Sequence, residues 1–573
     1  MTPQSSTFTS WDGSRIHYLA WVPETPADRA VVYCHRGHEY GGRWQDTIEH
    51  LGLEGFAHFA WDARGHGDSE GEQGHAPSVA AVARDLDVFV RHVSSSQGIP
   101  MENIVVVGHS VGAVVVAAWV HDYAPLIRGM VLGTPAFRVK LYIPFAIPLL
   151  RLRQKLFGKG EVKSYVKASV LTHDKEQAAL YTADKKIFPQ ISVHMLLDLY
   201  DTSTRVIEDA GAIITPALLL TAGSDWVVDV GAQDKFFEGL SSSRKAKKHF
   251  PGFYHAIFHE KERAKVVDSV RGFVLGLFER KPDAVALLDA DTKGFTKTEY
   301  DRLCGPGSWH FEAIRKAMHW AGPLSRGVEL GISSGFDSGV TLDYVYRNKP
   351  QGDFGIGEWI DRSYLESIGW KGIRRRRQHL ERRLETLIRE VHERRGSVDL
   401  VDIATGGGRY VLETLHRLDK VPVSAHLQDY KEVNIRAASR LRDELGLKSV
   451  VIRQGDAFQL DAGLPAGQQY DIGIVSGLFE LFPENGPVLQ SLRQLASRIR
   501  PGGYLIYTNQ PWHPQLEFIA RVLGNREGRS WIMRRRTQAE MDQLVASVGL
   551  VKSGMDIDDW GIFTVSVARQ PGA

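Results

Sequence analysis

Ile104-Val105-Val106-Val107-Gly108-His109-Ser110-Val111-Gly112-Ala113-Val114-Val115-Val116-Ala117-Ala118 decides how the first half of this chain is read. The first four residues form an apolar run of strand type, and the residues from Ala113 to Ala118 form a small, apolar run of helix type. Between them lies Gly-x-Ser-x-Gly. A strand, sharp turn and helix of this kind force the serine into a strained conformation at the tip of a buried strand. The flanking glycines remove the side chains that would clash there. Ser110 is thereby placed as a nucleophile.

An activated serine needs a base to take its proton and a carboxylate to orient that base, in the chain order Ser, Asp, His. Asp225 follows the apolar strand Ala217 to Thr221, within Gly223-Ser224-Asp225-Trp226. His255 follows Lys248-His249-Phe250-Pro251-Gly252-Phe253-Tyr254, just before a helix. Asp229 lies one helical turn further on, His259 falls inside the next helix, and His109 is locked in the turn itself, so these are the weaker candidates. Upstream, Val31-Val32-Tyr33-Cys34 runs into His35-Arg36-Gly37-His38-Glu39. That loop position supplies one oxyanion N–H and the residue after the nucleophile supplies the second, which points to Gly37 and Val111. Asp62, Arg64 and Ser69, in the tight polar loop after the next strand, read as braces beneath the site.

Residues 1–285 resemble the monoacylglycerol lipase and lysophospholipase branch of the α/β-hydrolases. The shared motifs are an HGxGE-type oxyanion loop, a DxRGHGxS loop, GHSxG, and a late GxxD followed by a histidine. Arg36 and His38 depart from the pattern, where the family usually has glycine, and they crowd the mouth of the oxyanion hole. The resemblance implies a cap over the site at about 137–210. Its start, Leu141-Tyr142-Ile143-Pro144-Phe145-Ala146-Ile147-Pro148-Leu149-Leu150, is apolar, broken by prolines and too short to span a bilayer. Arg151, Arg153, Lys155, Lys159 and Lys163 follow. An apolar edge beside cations suits peripheral docking on an anionic membrane surface. An ordinary buried cap helix carries the same pattern, and both readings stand.

A second chemistry occupies the other half. Val398-Asp399-Leu400-Val401-Asp402-Ile403-Ala404-Thr405-Gly406-Gly407-Gly408-Arg409 is again strand, glycine-rich turn and helix, which lets a ligand approach the backbone and a helix N-terminus. A dinucleotide fingerprint wants Gly-x-Gly-x-x-Gly, but Ala404 and Arg409 stand at the outer positions, which argues against NAD or FAD. The better match is motif I of class I S-adenosylmethionine-dependent methyltransferases, in a DxATGxG form spanning Asp402, Ala404, Thr405, Gly406 and Gly408. A strand from Val423 ends in Asp429, ~20 residues past the glycines, the position that bonds a ribose diol in nucleotide-binding α/β sheets. By the same resemblance, Asp456 and Ala457 of Gly455-Asp456-Ala457 read the adenine amino group. A fourth strand, from Tyr470 to Gly477, and the turn Arg500-Pro501-Gly502-Gly503 before a fifth complete the methyltransferase-like order over 396–573. Glu480, Asn509, Gln510 and Trp512 line the region beyond these strands. Loop and packing roles explain them equally well, so none is assigned to catalysis.

The segment 286–395 joins the two cores and is too aromatic for a disordered linker, with Trp359, Tyr364 and Trp370 close together. It is expected to pack against the methyltransferase core as part of that unit, as a substrate lid. A helix beginning near Arg374 is predicted from the stripe Leu380, Leu384, Leu387, Ile388 and Val391. Its other face carries Arg374 to Arg377, Arg382, Arg383 and Arg389. Such charge suits phosphate or lipid headgroups, but the interleaved Glu381, Glu385, Glu390 and Glu393 make a solvated face the commoner explanation.

Composition bounds the rest. The chain has 573 residues, 43% of them hydrophobic, enough for several domains with ordinary cores. A net charge of +2 argues against dedicated nucleic-acid binding. No secretory signal or run of ~18 apolar residues is visible. Cys34 and Cys304, the two cysteines, support neither a disulfide framework nor a cysteine zinc site, and no metal is expected. The expected location is cytoplasmic, with peripheral contact at the inner membrane. The fold class expected is α/β throughout: an α/β-hydrolase fold with inserted cap, then a Rossmann-like class I methyltransferase fold. The whole resembles bacterial bifunctional proteins that fuse these two folds, the second half being similar to a methyltransferase family whose label gives no substrate. The function implied is hydrolysis of a monoacylglycerol or lysophospholipid ester, fused to S-adenosylmethionine-dependent methylation of a lipid-related or small-molecule acceptor. Two alternatives remain at this stage: an acyltransferase in place of the hydrolase, and a second half that senses S-adenosylmethionine without transferring methyl groups.

Overall fold

The computed structural model describes residues 2–158, 160–164, 166–280, 285–353 and 355–572. Lys159 of the cap, and Lys281, Pro282 and Asp283 just before the expected boundary at 285/286, lie outside them. The chain divides into two compact units, Met1–Val285 and Ala286–Ala573.

The first unit is built on strands β1 (Gln4–Thr9), β2 (Arg15–Trp21), β3 (Arg29–Cys34), β4 (Phe56–Trp61), β5 (Ile104–His109) and β6 (Gly129–Gly133). A short hairpin, β7 (Glu161–Lys163) and β8 (Gln190–Ser192), precedes β9 (Ala217–Ala222) and β10 (Lys245–Phe250). Eight of these form one sheet in the order β1-β2-β4-β3-β5-β6-β9-β10, antiparallel at the first two strands and parallel from β4 onward. β4, β5, β6 and β9 are buried along their whole length. That is why their sequences are continuous apolar runs: a parallel strand covered by helices on both faces has no wet side.

Between β6 and β9 the chain inserts helices Ala146–Phe157, Lys175–Ala183 and Val193–Glu208. The last buries Leu196, Leu197, Leu199 and Val206, and it is tied to the helix after β5 by a buried charged network. His121 sits between Asp122 Oδ1 and Asp209 Oδ2, each at 2.7 Å, while Arg205 pairs with Asp122. Burial would lower the His121 pKa, but the two carboxylates outweigh it and hold the imidazole above its ordinary value. The folded unit therefore binds this proton more tightly than the unfolded chain. Its contribution is complete below the unfolded histidine value of about 6.5 and is lost as pH rises through the higher folded value.

In the second unit, β11 (Val398–Asp402), β12 (Val423–Asp429), β13 (Val450–Gln454), β14 (Tyr470–Val475), β15 (Ile499–Asn509), β16 (Val551–Ile557) and β17 (Thr564–Arg569) form one sheet. Its order is β13-β12-β11-β14-β15-β17-β16, with β17 antiparallel to both neighbours. Strand order reverses between β11 and β14, the switch point where a Rossmann-like sheet opens its ligand crevice. This is the class I methyltransferase fold. The segment 286–395 is helical: Phe336, Tyr344, Val345, Leu365, Trp370 and Ile373 pack in one cluster with Ile562 and Phe563 beside β17. Asp361, fully buried, gathers hydrogen bonds from Ser325 Oγ, the Tyr344 hydroxyl and the N–H groups of Gly327 and Gln351. The helix expected from Arg374 begins six residues earlier, at Ile368, and runs to Arg395. Trp370 and Ile373 extend its buried face into the aromatic cluster, a contact that the leucine stripe alone does not reveal. Arg377, Arg382 and Arg383 pair with carboxylates on this helix and its neighbours, whereas Arg376 departs from the solvated-face reading and is buried.

By calorimetry, the melting temperature of the first unit is expected to fall as pH is raised from 6 through the folded His121 value. Asp209→Asn, which removes one of the two carboxylates holding the proton, should flatten that slope. A slope unchanged by the substitution would overturn the linkage.

Candidate functional site

Ser110 stands where β5 becomes the helix Val111–Tyr123, with φ 55° and ψ −114°. A Cβ at Gly108 would lie 2.6 Å from Ala113 Cα, and one at Gly112 would lie 2.5 Å from the Cys34 carbonyl oxygen, so neither position tolerates a side chain. The turn is pinned by the Ser110 N–H to the Gly133 carbonyl at 2.8 Å and by the Ala136 N–H to the Ser110 carbonyl at 3.1 Å.

The structure brings Ser110, Asp225 and His255 together. His255 Nε2 is 2.8 Å from Ser110 Oγ, and His255 Nδ1 is 2.8 Å from Asp225 Oδ2. Asp225 Oδ1 accepts the N–H groups of Val227 and Val228 at 2.8 and 2.9 Å. Burial would raise the Asp225 pKa, yet His255 and these N–H donors outweigh it and hold the carboxyl below its usual range. Gly37 packs on the start of the helix: a Cβ there would meet Val111 Cγ2 at 3.2 Å. Val111 opens that helix, where the first N–H groups have no partner within the helix.

Arg36 and His38, the two departures from the glycine pattern, settle differently. Arg36 pairs with Glu39, with NH2 at 2.9 Å and Nε at 2.8 Å from the carboxylate. His38 keeps φ 72°, a left-handed backbone that favours glycine, and burial lowers its pKa to about 4, so it is neutral near pH 7. Asp62 accepts the Gly41 and Asp68 N–H groups and Arg64 pairs with Asp85 and Asp12, so both brace loops. A cavity of about 160 Å³ lies over Ser110, walled by Val115, Val139 and Val227 and roofed by Phe188, Met195, Leu196 and Leu199 of the insertion. Helix Ala146–Phe157, in contrast, buries no residue and leaves Leu149, Leu152, Leu156 and Phe157 exposed.

A second cleft opens at the switch point of the other unit. Ala404, Thr405, Gly406, Gly408 and Asp429 line it, with Gly406 and Gly408 at φ 57° and 66°. Asp429 accepts the Gly406 N–H on Oδ2, and the Lys431 N–H and Asn434 Nδ2 on Oδ1, all at 2.9 Å. The other three expected residues are not in its wall. Asp402 is buried beneath the loop, bonded by the Tyr410 hydroxyl at 2.5 Å, and burial pushes its pKa up to about 6 against those hydrogen bonds. Asp456 Oδ1 caps the Phe458 N–H, and Ala457 belongs to the core. The wall includes residues that motif reading missed, among them Asp337, Tyr346, Arg376 and Arg526. Three of these precede the sheet and the fourth follows β15, so no strand-end motif points to them.

A family model described as "Putative methyltransferase" matches residues 270–570, more than half of the chain. The chain belongs to this family. A second model, described as "Serine aminopeptidase, S33", matches residues 25–262. The chain is 44% identical to the Escherichia coli protein YnbC over 575 residues, covering 99% of this chain and 98% of that one, so both units recur together. Its first half is 28% identical to a monoacylglycerol lipase of Mycolicibacterium smegmatis, covering 48% of this chain and 98% of the lipase. It is 26% identical to the phospholipase YtpA of Bacillus subtilis, covering 44% and 97%. This family member thus joins a serine-hydrolase type of α/β-hydrolase to a methyltransferase unit. Among the described residues no helix is long and apolar enough to cross a membrane.

The Ser110 backbone makes a prediction of its own. A non-glycine residue held in so sparsely populated a region costs about 1–3 kcal/mol, partly offset by the extra unfolded-state freedom of glycine. Ser110→Gly should therefore stabilise the first unit by about 1 kcal/mol while abolishing hydrolysis. A denaturant midpoint that stays or falls would show that the turn stores no strain.

Proposed function

We propose that the chain is a two-activity enzyme in which the first unit hydrolyses an uncharged glycerol ester of a fatty acid and the second transfers a methyl group from S-adenosylmethionine. The observation that carries the first activity is the continuous relay Ser110 Oγ, His255, Asp225 at the floor of an apolar cavity. His255 Nε2 takes the serine proton as Oγ attacks the ester carbonyl. The N–H groups of Gly37 and Val111 receive the oxyanion, and Asp225 steadies the imidazolium. His255 then protonates the leaving alcohol, and a water activated by the same imidazole releases the acid.

The lining favours a lipid over a peptide with a free amino terminus, because no carboxylate lines the cavity among the described residues. It favours a neutral headgroup over a phosphate as well: Arg36 is held by Glu39, and Arg64 by Asp85 and Asp12. The exposed apolar face of helix Ala146–Phe157, flanked by Arg153 and Lys155, supports docking of the cap on the cytoplasmic side of an anionic membrane.

In the second unit the glycine loop and Asp429 fit the methyl donor. Cβ atoms at Gly406 and Gly407 would meet nothing within 4 Å, so the loop faces open space. The Asp429 carboxylate has about four acceptor sites, of which three are filled by N–H groups, leaving one for a ribose hydroxyl. Bound there, S-adenosylmethionine would supply a methyl carbon made electrophilic by its sulfonium.

Ser110→Ala and His255→Ala are each expected to slow release of fatty acid from a monoacylglycerol by at least ~10³-fold, since the three groups act as a unit. The wild-type enzyme should prefer that ester to a lysophospholipid. Retained activity in Ser110→Ala would refute the nucleophile, and a preference for the phosphate-bearing lipid would refute the headgroup assignment. For the second unit, calorimetric titration of the full chain should show Asp429→Ala weakening S-adenosylmethionine binding by about 1–3 kcal/mol. Unchanged affinity, or tighter binding of NAD, would overturn the donor site.

A further inference from the structure

Beside the glycine-loop cleft lies a second cavity of about 280 Å³ into which the aromatic rings of Phe336, Tyr364, Trp370, Phe518, Trp531 and Phe563 are set, with Leu, Ile and Met side chains between them. The two spaces share Asp337, Leu342, Arg376, Gly477 and Leu481, so they adjoin. Between them lies a group of buried polar side chains whose hydrogen bonding within the fold is incomplete. Glu480 is 8% exposed, Arg376 4% and Gln510 5%. Arg376 NH1 stands 3.6 Å from Glu480 Oε1, and Oε1 accepts the Thr508 hydroxyl, which itself accepts the Gly477 N–H at 2.8 Å. Glu480 is therefore held from one side only. Its Oε2, Arg376 Nε and Gln510 Nε2 are buried without a hydrogen-bond partner.

We propose that this cavity binds the methyl acceptor, a phenol-type hydroxyl on a flat apolar ring system, and that Glu480 Oε2 takes the hydroxyl proton. The proposal rests on the reading of the adjoining cleft as the methyl-donor site. The six rings offer a planar body offset and edge-on contacts that a flexible alkyl chain cannot return, which favours a ring system over a chain of equal size. A hydroxyl is the end group that matches the polar atoms: it donates to Glu480 Oε2 and accepts from Gln510 Nε2 or Arg376 Nε. An ammonium would meet the Arg376 charge, and a carboxylate would meet Glu480 with no proton to give. A phenol, with a pKa near ~10, can lose its proton to a buried carboxylate, whereas an aliphatic alcohol holds its proton far more tightly. In the step itself the acceptor oxygen bonds to the methyl carbon as the carbon–sulfur bond breaks. The proton passes to Glu480, and the sulfonium leaves as a neutral thioether.

Burial raises the Glu480 pKa above the ordinary carboxylate range, and Arg376 only partly opposes this, which makes the carboxylate a better base. The charged groups that face it are Arg376 from the long helix and, further off, Arg536; Asp337 lines the same cavity, its pKa raised by burial. His513, across the cavity, is kept neutral near pH 7 by burial, its pKa lowered to about 3.

The full chain should be tested with methyl-labelled S-adenosylmethionine and four probes: 2-naphthol, 2-naphthoic acid, decanol and decylamine. Binding of 2-naphthol is measured separately by equilibrium dialysis, and donor binding by calorimetry. The expected result is O-methylation of 2-naphthol at least tenfold faster than of the other three. Glu480→Gln should lose about 100-fold in kcat while binding the donor normally, with residual activity that climbs as pH approaches the ionisation of the phenol itself. Ile519→Trp, which fills the cavity, should abolish 2-naphthol binding and spare donor binding; it carries the test should Glu480→Gln fold poorly. Normal donor binding with a preference for another probe, or with wild-type rates in both variants, would overturn the acceptor assignment and leave the donor site standing. A wild-type chain that does not bind the donor would overturn both.

Discussion

Ser110 keeps a backbone conformation that its own side chain disfavours because the surrounding sheet leaves it no other. Its N–H is bound to the Gly133 carbonyl of β6, its carbonyl receives the Ala136 N–H, and the helix that follows runs directly over Cys34 and His35 at the end of β3. Any relaxation of the turn would push the helix into the β3 carbonyls or break its bond to β6. Three parallel strands therefore hold one serine oxygen where His255 can reach it. Asp225, at the end of β9, is oriented by the same neighbourhood through two backbone N–H groups. Strain at this position is tolerable because β5 and β6 are wholly buried and β3 is buried beyond Arg29, so the site draws on a well-protected part of the unit.

The second unit solves a different problem with the same architecture. Methyl transfer demands positioning and only modest chemistry, so no strained nucleophile is needed. The glycine turn after β11 uses left-handed residues to bare its backbone, and Asp429 at the end of β12 secures the loop by accepting the Gly406 N–H. In both units the reactive groups lie at the carboxyl ends of parallel strands, where helix N-termini and loops converge. What differs is what walls the cavity. In the first unit an insertion between two strands roofs it, and in the second helices that precede the sheet line it together with the segments after β14 and β15.

That difference explains what could be read from residues in order. Strand–turn–helix signals are local: Gly108, Ser110 and Gly112, or Gly406 and Gly408, lie within one turn of the element they shape, so both α/β folds were legible. The same holds for the leucine stripe from Leu380 to Val391. Arg376 was illegible because it sits in a run of four arginines, three of which do meet carboxylates or carbonyls near the surface. Only the packing of Trp370 and Ile373 against Phe563 turns that one side chain inward. Asp361 likewise collects donors from Ser325, Gly327, Tyr344 and Gln351, four positions with no shared pattern. For Asp456 and Ala457 a motif shared with a family was carried over, but here the strand end turns its carboxylate to the Phe458 N–H instead of the cleft.

Two buried clusters of charge in the second unit make the last distinction. Arg534 and Arg536 sit with Glu540 and Asn485, and every guanidinium nitrogen of the two has an acceptor: Asn485, Glu540, Thr296 or the carbonyls of Phe479, Phe482 and Pro483. A network satisfied in this way is what a folded core requires of buried charge, and it leaves nothing for a ligand. The Arg376, Glu480 and Gln510 cluster lies within the same unit and is buried to a similar degree, yet three of its polar atoms have no partner. Each such atom costs about 1–3 kcal/mol, a penalty that packing alone would remove by substituting apolar side chains. A cost left open toward an aromatic cavity, next to the glycine loop, is recovered when a hydroxyl-bearing ring enters. By that measure the first cluster belongs to the fold and the second to its chemistry.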